Sequence, residues 1–458
     1  MEKLLAMVLA LVMTLSLAVS ANAFKDDKSI SDDYAEAVAV LNGMGVFKGY
    51  EDGSFQPAGD ITRAEVSAIV YRVYTQDVKD AKASMYATYN KFSDMAGAGW
   101  AQGYIGYCAN AELVKGYPDG TFKPSGKVTG YEVLAMILRA VGYDKNNEFS
   151  GADWALHVAQ TAQQLGVLKN IKGVDLNAAA SRELVAELLF RAIAEASTVN
   201  YTPAFGYVTD KVLKLDESTL GYKNFKLVGK ADADSFGRPA TKWTYTTGDK
   251  ATTFVEKPDL TYTKAVAECD VAHDLDLSAD TAYALIVNGQ PQTTTYTVNL
   301  TDTVTKMGAQ GRITEVYDMG STGYRFVEIN TYLAKVTADS TDRNGHITDA
   351  TVDLKVYQVN DTGIDEAGVE AEGFTVGQYV LVTMTVDTAS PVVQAVEAAA
   401  VTPMGQLKNW SYAYGTTAAT ITLADTSTTM LTSSMSVTSR VPPTLLPLGI
   451  PSLTLMPT

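Results

Sequence analysis

The feature that most constrains this chain is a turn that occurs twice: "KGYEDGSFQP" at residues 48–57 and "KGYPDGTFKP" at residues 115–124. Tyrosine, Asp-Gly, phenylalanine and proline fall at the same offsets in both. Helical runs precede the turns, "YAEAVAVLNGMGVFKG" and "WAQGYIGYCANAELVKG", and "DITRAEVSAIVYRVY" and "KVTGYEVLAMILRAV" follow them. Agreement over that length makes an internal repeat. A unit of helix, loop and helix has too little surface to bury by itself, so such units must bury their apolar faces on one another.

Local physics supports the same division. Gly53 and Gly120, each after an aspartate, suit the positive φ of a tight turn. Phe55 and Phe122 then return a large apolar side chain toward the helices. Thr62 and Thr129 stand three residues before Glu65 and Glu132, the spacing of a capping box in which hydroxyl and carboxylate each satisfy an amide. In the helix that starts there, Val66, Ile69, Val70 and Val73 match Val133, Met136, Ile137 and Ala140 at the spacing of one helix face. A third copy, "WALHVAQTAQQLGVLKN" leading into "AASRELVAELLFRAI", puts Val185, Leu188, Leu189 and Ala192 in those slots. Its loop is two residues shorter and lacks the Asp-Gly pair. Leu184 replaces the box glutamate, so Ser181 makes half a cap. The expected units are 24–77, 78–145 and 146–200.

Charge and cysteine usage narrow the partners. A formal net charge of -16 argues against nucleic acid, whose phosphates need surplus Lys and Arg. The opening "MEKLLAMVLALVMTLSLAVSANAF" has Lys3, a short apolar run and the small-x-small Ala21-Asn22-Ala23, so 1–23 reads as a signal peptide cut before Phe24. No later stretch reaches the apolar length of a bilayer span. Cys108 and Cys269 make no disulfide framework; Cys108 aligns with Leu41 and is expected as a small buried hydrophobe.

Beyond about residue 200 the period becomes alternating, as in "YRFVEINTYLAKVTAD", "TDATVDLKVYQV" and "GQYVLVTMTVD", with Asn344-Gly345 as a hairpin signal. The chain therefore reads as multidomain, α then β, with β-rich regions at 201–310 and 311–425 forming a sandwich or small barrel. From 426 to 458 Arg440 is the one charged side chain; a Ser/Thr/Pro-rich tail and a shifted reading frame both account for this. His157, His273 and His346 lie in no HExxH, and GxSxG, P-loop and GxGxxG signatures are absent. Cys269, His273, Asp274 and Asp276 lack the glycine and closing glutamate of a calcium loop and read as acidic surface. No cofactor is expected, weak calcium binding by loops such as "NDTGIDEAG" being the one exception.

"GYPDGTFKP", "ITRAE", "FSDMAGAGWAQGYI" and the threefold repetition behind a signal peptide resemble S-layer homology domains, over roughly residues 24–200. The resemblance implies a three-lobed pseudo-trimer that anchors a secreted bacterial surface protein non-covalently to the cell wall. It implies binding of secondary cell-wall polysaccharide, often pyruvylated, in grooves between lobes, with other S-layer subunits as further partners and a structural or adhesive β-rich region. The arginine of its TRAE motif contacts the ketal carboxylate; Arg63 holds that place here, Arg182 is its match, and Thr62 and Ser181 are the caps beside them.

Physical chemistry gives those arginines a parallel reading. A cation in the first helical turn faces the positive end of the dipole. Free first-turn amides and a guanidinium fork would together make a carboxylate site; a solvated or lobe-bridging arginine is the competing account. Repeat two has Gly130-Tyr131 instead, which leaves a weaker site, a sugar stacked on Tyr131, or a purely structural joint. Trp100 and Trp154 open the first helix of repeats two and three, as sugar platforms or as packing. Arg72, Arg139 and Arg191 recur beyond the second helix face and read as solvated or inter-lobe ion pairs. The rival function is a wall-anchored polysaccharide hydrolase with two placed carboxylates within 205–425.

Overall fold

The computed structural model describes residues 24–209 and 217–338, apart from positions 90, 280, 295 and 310. Beyond them it describes the segments 351–356, 367–370, 379–385, 392–398, 407–411, 420–423 and 428–430. The signal segment 1–23, the Asn344-Gly345 pair, most of "NDTGIDEAG" and the tail outside 428–430 lie outside the described residues. Compactness divides the chain into a first unit, up to Ala233 with Pro239–Lys257, and a second, Asp234–Arg238 with Pro258 onward.

The first unit is built from three helix pairs. They are α1 (Asp32–Gly43) with α2 (Arg63–Thr75), α3 (Gln102–Asn110) with α4 (Gly130–Ala140), and α5 (Trp154–Gln164) with α6 (Arg182–Ala194). Thr62 and Thr129 each complete a capping box with Glu65 and Glu132, and Ser181 caps Leu184 alone. Gly53 and Gly120 take φ of 82° and 81° at the turns. All twelve face residues are buried, with Phe55, Phe122 and Cys108 fully enclosed. Just before each second helix the chain forms one corner of a closed ring: Ile61 N donates to Ala180 O (3.2 Å), Ala180 N to Val128 O (2.8 Å), and Val128 N to Ile61 O (3.2 Å). Each repeat thus supplies one donor and one acceptor to its neighbours, and the three lobes close on a pseudo-threefold axis.

The unit does not end at 200. A hairpin of β1 (Val199–Thr202) and β2 (Gly206–Thr209) is followed by α7 (Leu220–Phe225) and a sheet of β3 (Val228–Ala233), β4 (Pro239–Thr244) and β5 (Ala251–Val255). Leu220, Phe225, Leu227 and Tyr245 join the helical core. Trp243 meets Phe190 edge-on at 5.0 Å and donates to Glu36. This departs from the boundary read at 200, because alternation marks a strand but says nothing of which core the strand's buried face joins.

In the second unit the strand Tyr324–Ala338 is central. It pairs antiparallel with Arg312–Asp318 and parallel with Ala282–Val287, then further along with Thr351–Val356 and Tyr379–Met384. One face of its first half packs Val316 and Phe326 against Val271 and Ala272 of the short helix Glu268–Asp274; the other packs Tyr317, Val327 and Ile329 with Phe236. Among the described residues the unit is strand-rich with antiparallel sheets and no closed barrel, so the small-barrel alternative does not hold there.

Candidate functional site

The two motif arginines occupy equivalent joints between lobes. Arg63 leaves the start of α2 and crosses to repeat two, donating from Nε to Phe122 O (2.8 Å), from one terminal nitrogen to Glu132 Oε1 (3.1 Å) and from the other to Lys115 O (2.9 Å). Arg182 leaves α6 and crosses to repeat one, donating to Phe55 O (2.8 Å), Glu65 Oε1 (3.4 Å) and Lys48 O (3.0 Å). Tyrosine and phenylalanine faces sandwich the guanidinium: Tyr117 and Phe122, each 4.7 Å from Arg63 Cζ, and Tyr50 at 4.4 Å with Phe55 at 5.1 Å from Arg182 Cζ. Tyr117 and Tyr50 donate their hydroxyls to the same glutamates, Glu132 and Glu65. Those carboxylates cap their own helices with the other oxygen, accepting from the Thr129 and Thr62 amides. One carboxylate therefore links a helix start, a loop tyrosine and the neighbouring lobe's arginine.

This geometry corrects one premise of the carboxylate site. The first-turn amides are already taken: Arg63 N and Ala64 N donate to Gly126 O and Pro124 O, and Arg182 N and Glu183 N to Gly59 O and Pro57 O. The side chains of Arg63 and Arg182 are only 4% and 5% exposed. Both guanidinium groups are lobe-bridging, and the carbonyls and carboxylate of the next repeat explain why cations tolerate the positive end of a helix. Burial lowers the Arg182 pKa from its ordinary value, with Tyr50 and Glu65 pulling the other way. Burial first, and then the bond to Glu132, raise the Tyr117 hydroxyl.

What faces solvent at each joint is a loop. Lys123 is exposed and lies 4.3 Å from the Tyr117 ring centre. Gln56 and Lys123 both adopt φ near 57° immediately before a proline, a left-handed backbone at the same place in both loops. Among the other candidates, Thr62 and Ser181 act as caps, Tyr131 is half-buried against the core, and Trp154 is half-buried at the start of α5. Trp100 is 62% exposed, set edge-on to Tyr104 at 5.7 Å. The structure does not bring the tryptophans or Tyr131 to the arginine joints through any contact among the described residues.

Sequence reasoning missed how the loops are tied down. In each repeat the lysine before the turn meets an acid beyond the second helix, and the acid meets the arginine in that helix's last turn. The sets are Lys48–Asp80–Arg72 (2.6 and 2.8 Å), Lys115–Asp144–Arg139 (both 2.7 Å) and Lys169–Glu195–Arg191 (2.6 and 2.7 Å). Arg191 also reaches another lobe, at Glu36; Arg139 makes its ion pair within its own repeat, and Arg72, paired with Asp80 just past the end of repeat one, also lies against the Tyr104 ring of repeat two. Burial would raise the Asp144 carboxyl, but Lys115, the Phe149 amide and Arg139 outweigh it and hold it below its ordinary value. The recurring lysine in "FKG", "VKG" and "LKN" was the available signal. The carbonyls of the first two of these lysines are the ones that hold Arg182 and Arg63.

A family profile described as the S-layer homology domain matches residues 23–67 and 91–134. The first two repeats are S-layer homology domains. The chain is 27% identical over 230 residues to a surface layer protein of Brevibacillus choshinensis, covering 50% of this chain and 20% of that one. It is 29% identical over 198 residues to a middle cell wall protein of Brevibacillus brevis, covering 42% and 18%. With a cellulosome-anchoring protein of Acetivibrio thermocellus it shares 35% identity over 118 residues, 26% of either chain. The chain thus spans about a fifth of the length of the first two relatives. Domain and relatives together mark a secreted cell-surface protein, and no described helix is long and apolar enough to cross a membrane.

Proposed function

We propose that this S-layer homology module anchors the chain to the cell wall by binding a secondary cell-wall polysaccharide with anionic, pyruvylated sugars, and that the strand-rich remainder is displayed as a structural or adhesive surface. The observation that carries the reading is the duplicated joint: arginine, tyrosine and glutamate from two lobes, held in one geometry at two places behind a solvent-facing loop. The buried guanidinium, clamped against aromatic rings, fixes the exposed loop around it, with Lys123 over Tyr117 as the solvent-facing cation of the Arg63 joint, so the loop meets an anionic sugar without further ordering. Two joints on one chain add avidity for a repeating polymer. Other surface-layer subunits are the further partner under this reading, and no catalysis is assigned. A hydrolase would need two facing carboxylates. Glu315 and Glu328, on paired strands of the second unit, stand opposite Val327 and Thr314 and so point to opposite faces.

Co-sedimentation of the mature chain with purified sacculi tests this, before and after mild acid removal of the ketal. Lys123→Ala and Tyr117→Ala probe one joint, Tyr50→Ala the other. Pelleting that falls on ketal removal and falls further in the variants supports the reading. A folded chain that stays in the supernatant with intact sacculi overturns it.

A further inference from the structure

The third joint, between α4 and the loop of repeat three, is built from different chemistry. Its register is fixed by backbone hydrogen bonds: Tyr131 N donates to Leu176 O just as Ala64 N donates to Pro124 O and Glu183 N to Pro57 O. Leu176 therefore stands where the other loops have proline, and Gly130 stands where the other helices start with arginine. Counting from the Lys169 set, Ile171 stands where the other loops have Tyr50 and Tyr117. The acceptor glutamate of the joint would belong to the cap of repeat three, where the residue is Leu184. Arginine, tyrosine, glutamate and proline are thus replaced together by glycine, isoleucine, leucine and leucine.

The replacements are mutually consistent in space. A Cβ added at Gly130 would lie 2.7 Å from Leu176 Cδ2 and 3.1 Å from Leu176 Cα, so the leucine occupies the room an arginine stem would need. Leu176 and Leu184 are buried, and Ile171 packs against the same core. With no arginine to meet, a glutamate at 184 would be a carboxylate at a buried joint without its partner, which is strongly unfavourable. The half-made cap at Ser181 and the missing arginine at Gly130 are two consequences of one change.

We infer that the module has two ligand joints, the Arg63 and Arg182 ones, and that the third is sealed by a hydrophobic seam whose task is to close the ring. This rests on the anion-binding reading above and sets its valence.

Equilibrium dialysis of the full mature chain against a labelled, ketal-pyruvylated hexosamine counts the sites. Two equivalents are expected in the native chain, one in Tyr117→Ala, one in Tyr50→Ala and still two in Tyr131→Ala. The quadruple variant Gly130→Arg, Ile171→Tyr, Leu176→Pro and Leu184→Glu, if it folds, should bind three. Three equivalents in the native chain, or the loss of one in Tyr131→Ala, overturns the sealed joint while leaving anion binding intact. Zero equivalents in a folded chain removes the anion-binding reading and this inference with it.

Discussion

Replacing Arg63 by alanine measures how much the joints hold the ring together. The change leaves Phe122 O, Lys115 O and one bond of Glu132 without their donor, and removes a side chain clamped between two rings. Breaking a buried ion pair typically costs about 3–5 kcal/mol. Glu132 is 17% exposed and keeps Tyr117, so the lower end applies, about 3 kcal/mol. With a urea slope of about 2 kcal/mol per M, the unfolding midpoint should fall by about 1.5 M. Tryptophan fluorescence reads the transition, because Trp100, Trp154 and Trp243 lie in the first unit and only Trp410 outside it. Lys257→Ala serves as control: its pair with Asp32 is 73% and 55% exposed, so its loss should shift stability by less than about 1 kcal/mol. An Arg63→Ala midpoint no lower than the control's would refute the reasoning and mean that the guanidinium is not held by its neighbours.

Three other outcomes follow from the same geometry. Asp144, its side chain wholly enclosed and its folded pKa depressed, contributes stability above its ordinary pKa of 3.8 that disappears as pH falls through the folded value. Asp144→Asn should therefore lower the urea midpoint at pH 7 by the equivalent of about 3 kcal/mol and by less at pH 3, below the ordinary pKa, and an equal loss at both would sink the assignment. A fragment ending at 257 should melt at a higher temperature than one ending at 200, since truncation at 200 strips Leu220, Phe225, Leu227 and Tyr245 from the helical core, each worth about 1.5–3 kcal/mol. Equal melting temperatures would place 201–257 outside that core. In native alkylation Cys269 should react and Cys108 should not, because Cys108 is fully enclosed and burial pushes its thiol far up; modification of Cys108 without unfolding would contradict the packing.

Much of the repeat was legible because its signals are short in sequence. The capping boxes at Thr62 and Thr129 need only a hydroxyl and a carboxylate three residues apart, the turn glycines need only a positive φ, and the buried face follows from helical spacing. The misjudged points share a different property. Whether the first-turn amides at Arg63 were free depended on Gly126 and Pro124, which lie in the next repeat. The true end of the first unit depended on which core Phe225 and Tyr245 join.

The sequence by itself determined that there are repeats, where their helices begin, and which side of each helix is apolar, since those features arise from hydrogen bonds and contacts within a turn or two of chain. Only the tertiary structure decided what the arginines do. Their acceptors lie 52 and 59 residues away for Arg63, and 127 and 134 for Arg182. Such partners meet only after three lobes close into a ring, and the closing contacts make two joints cationic and leave the third aliphatic.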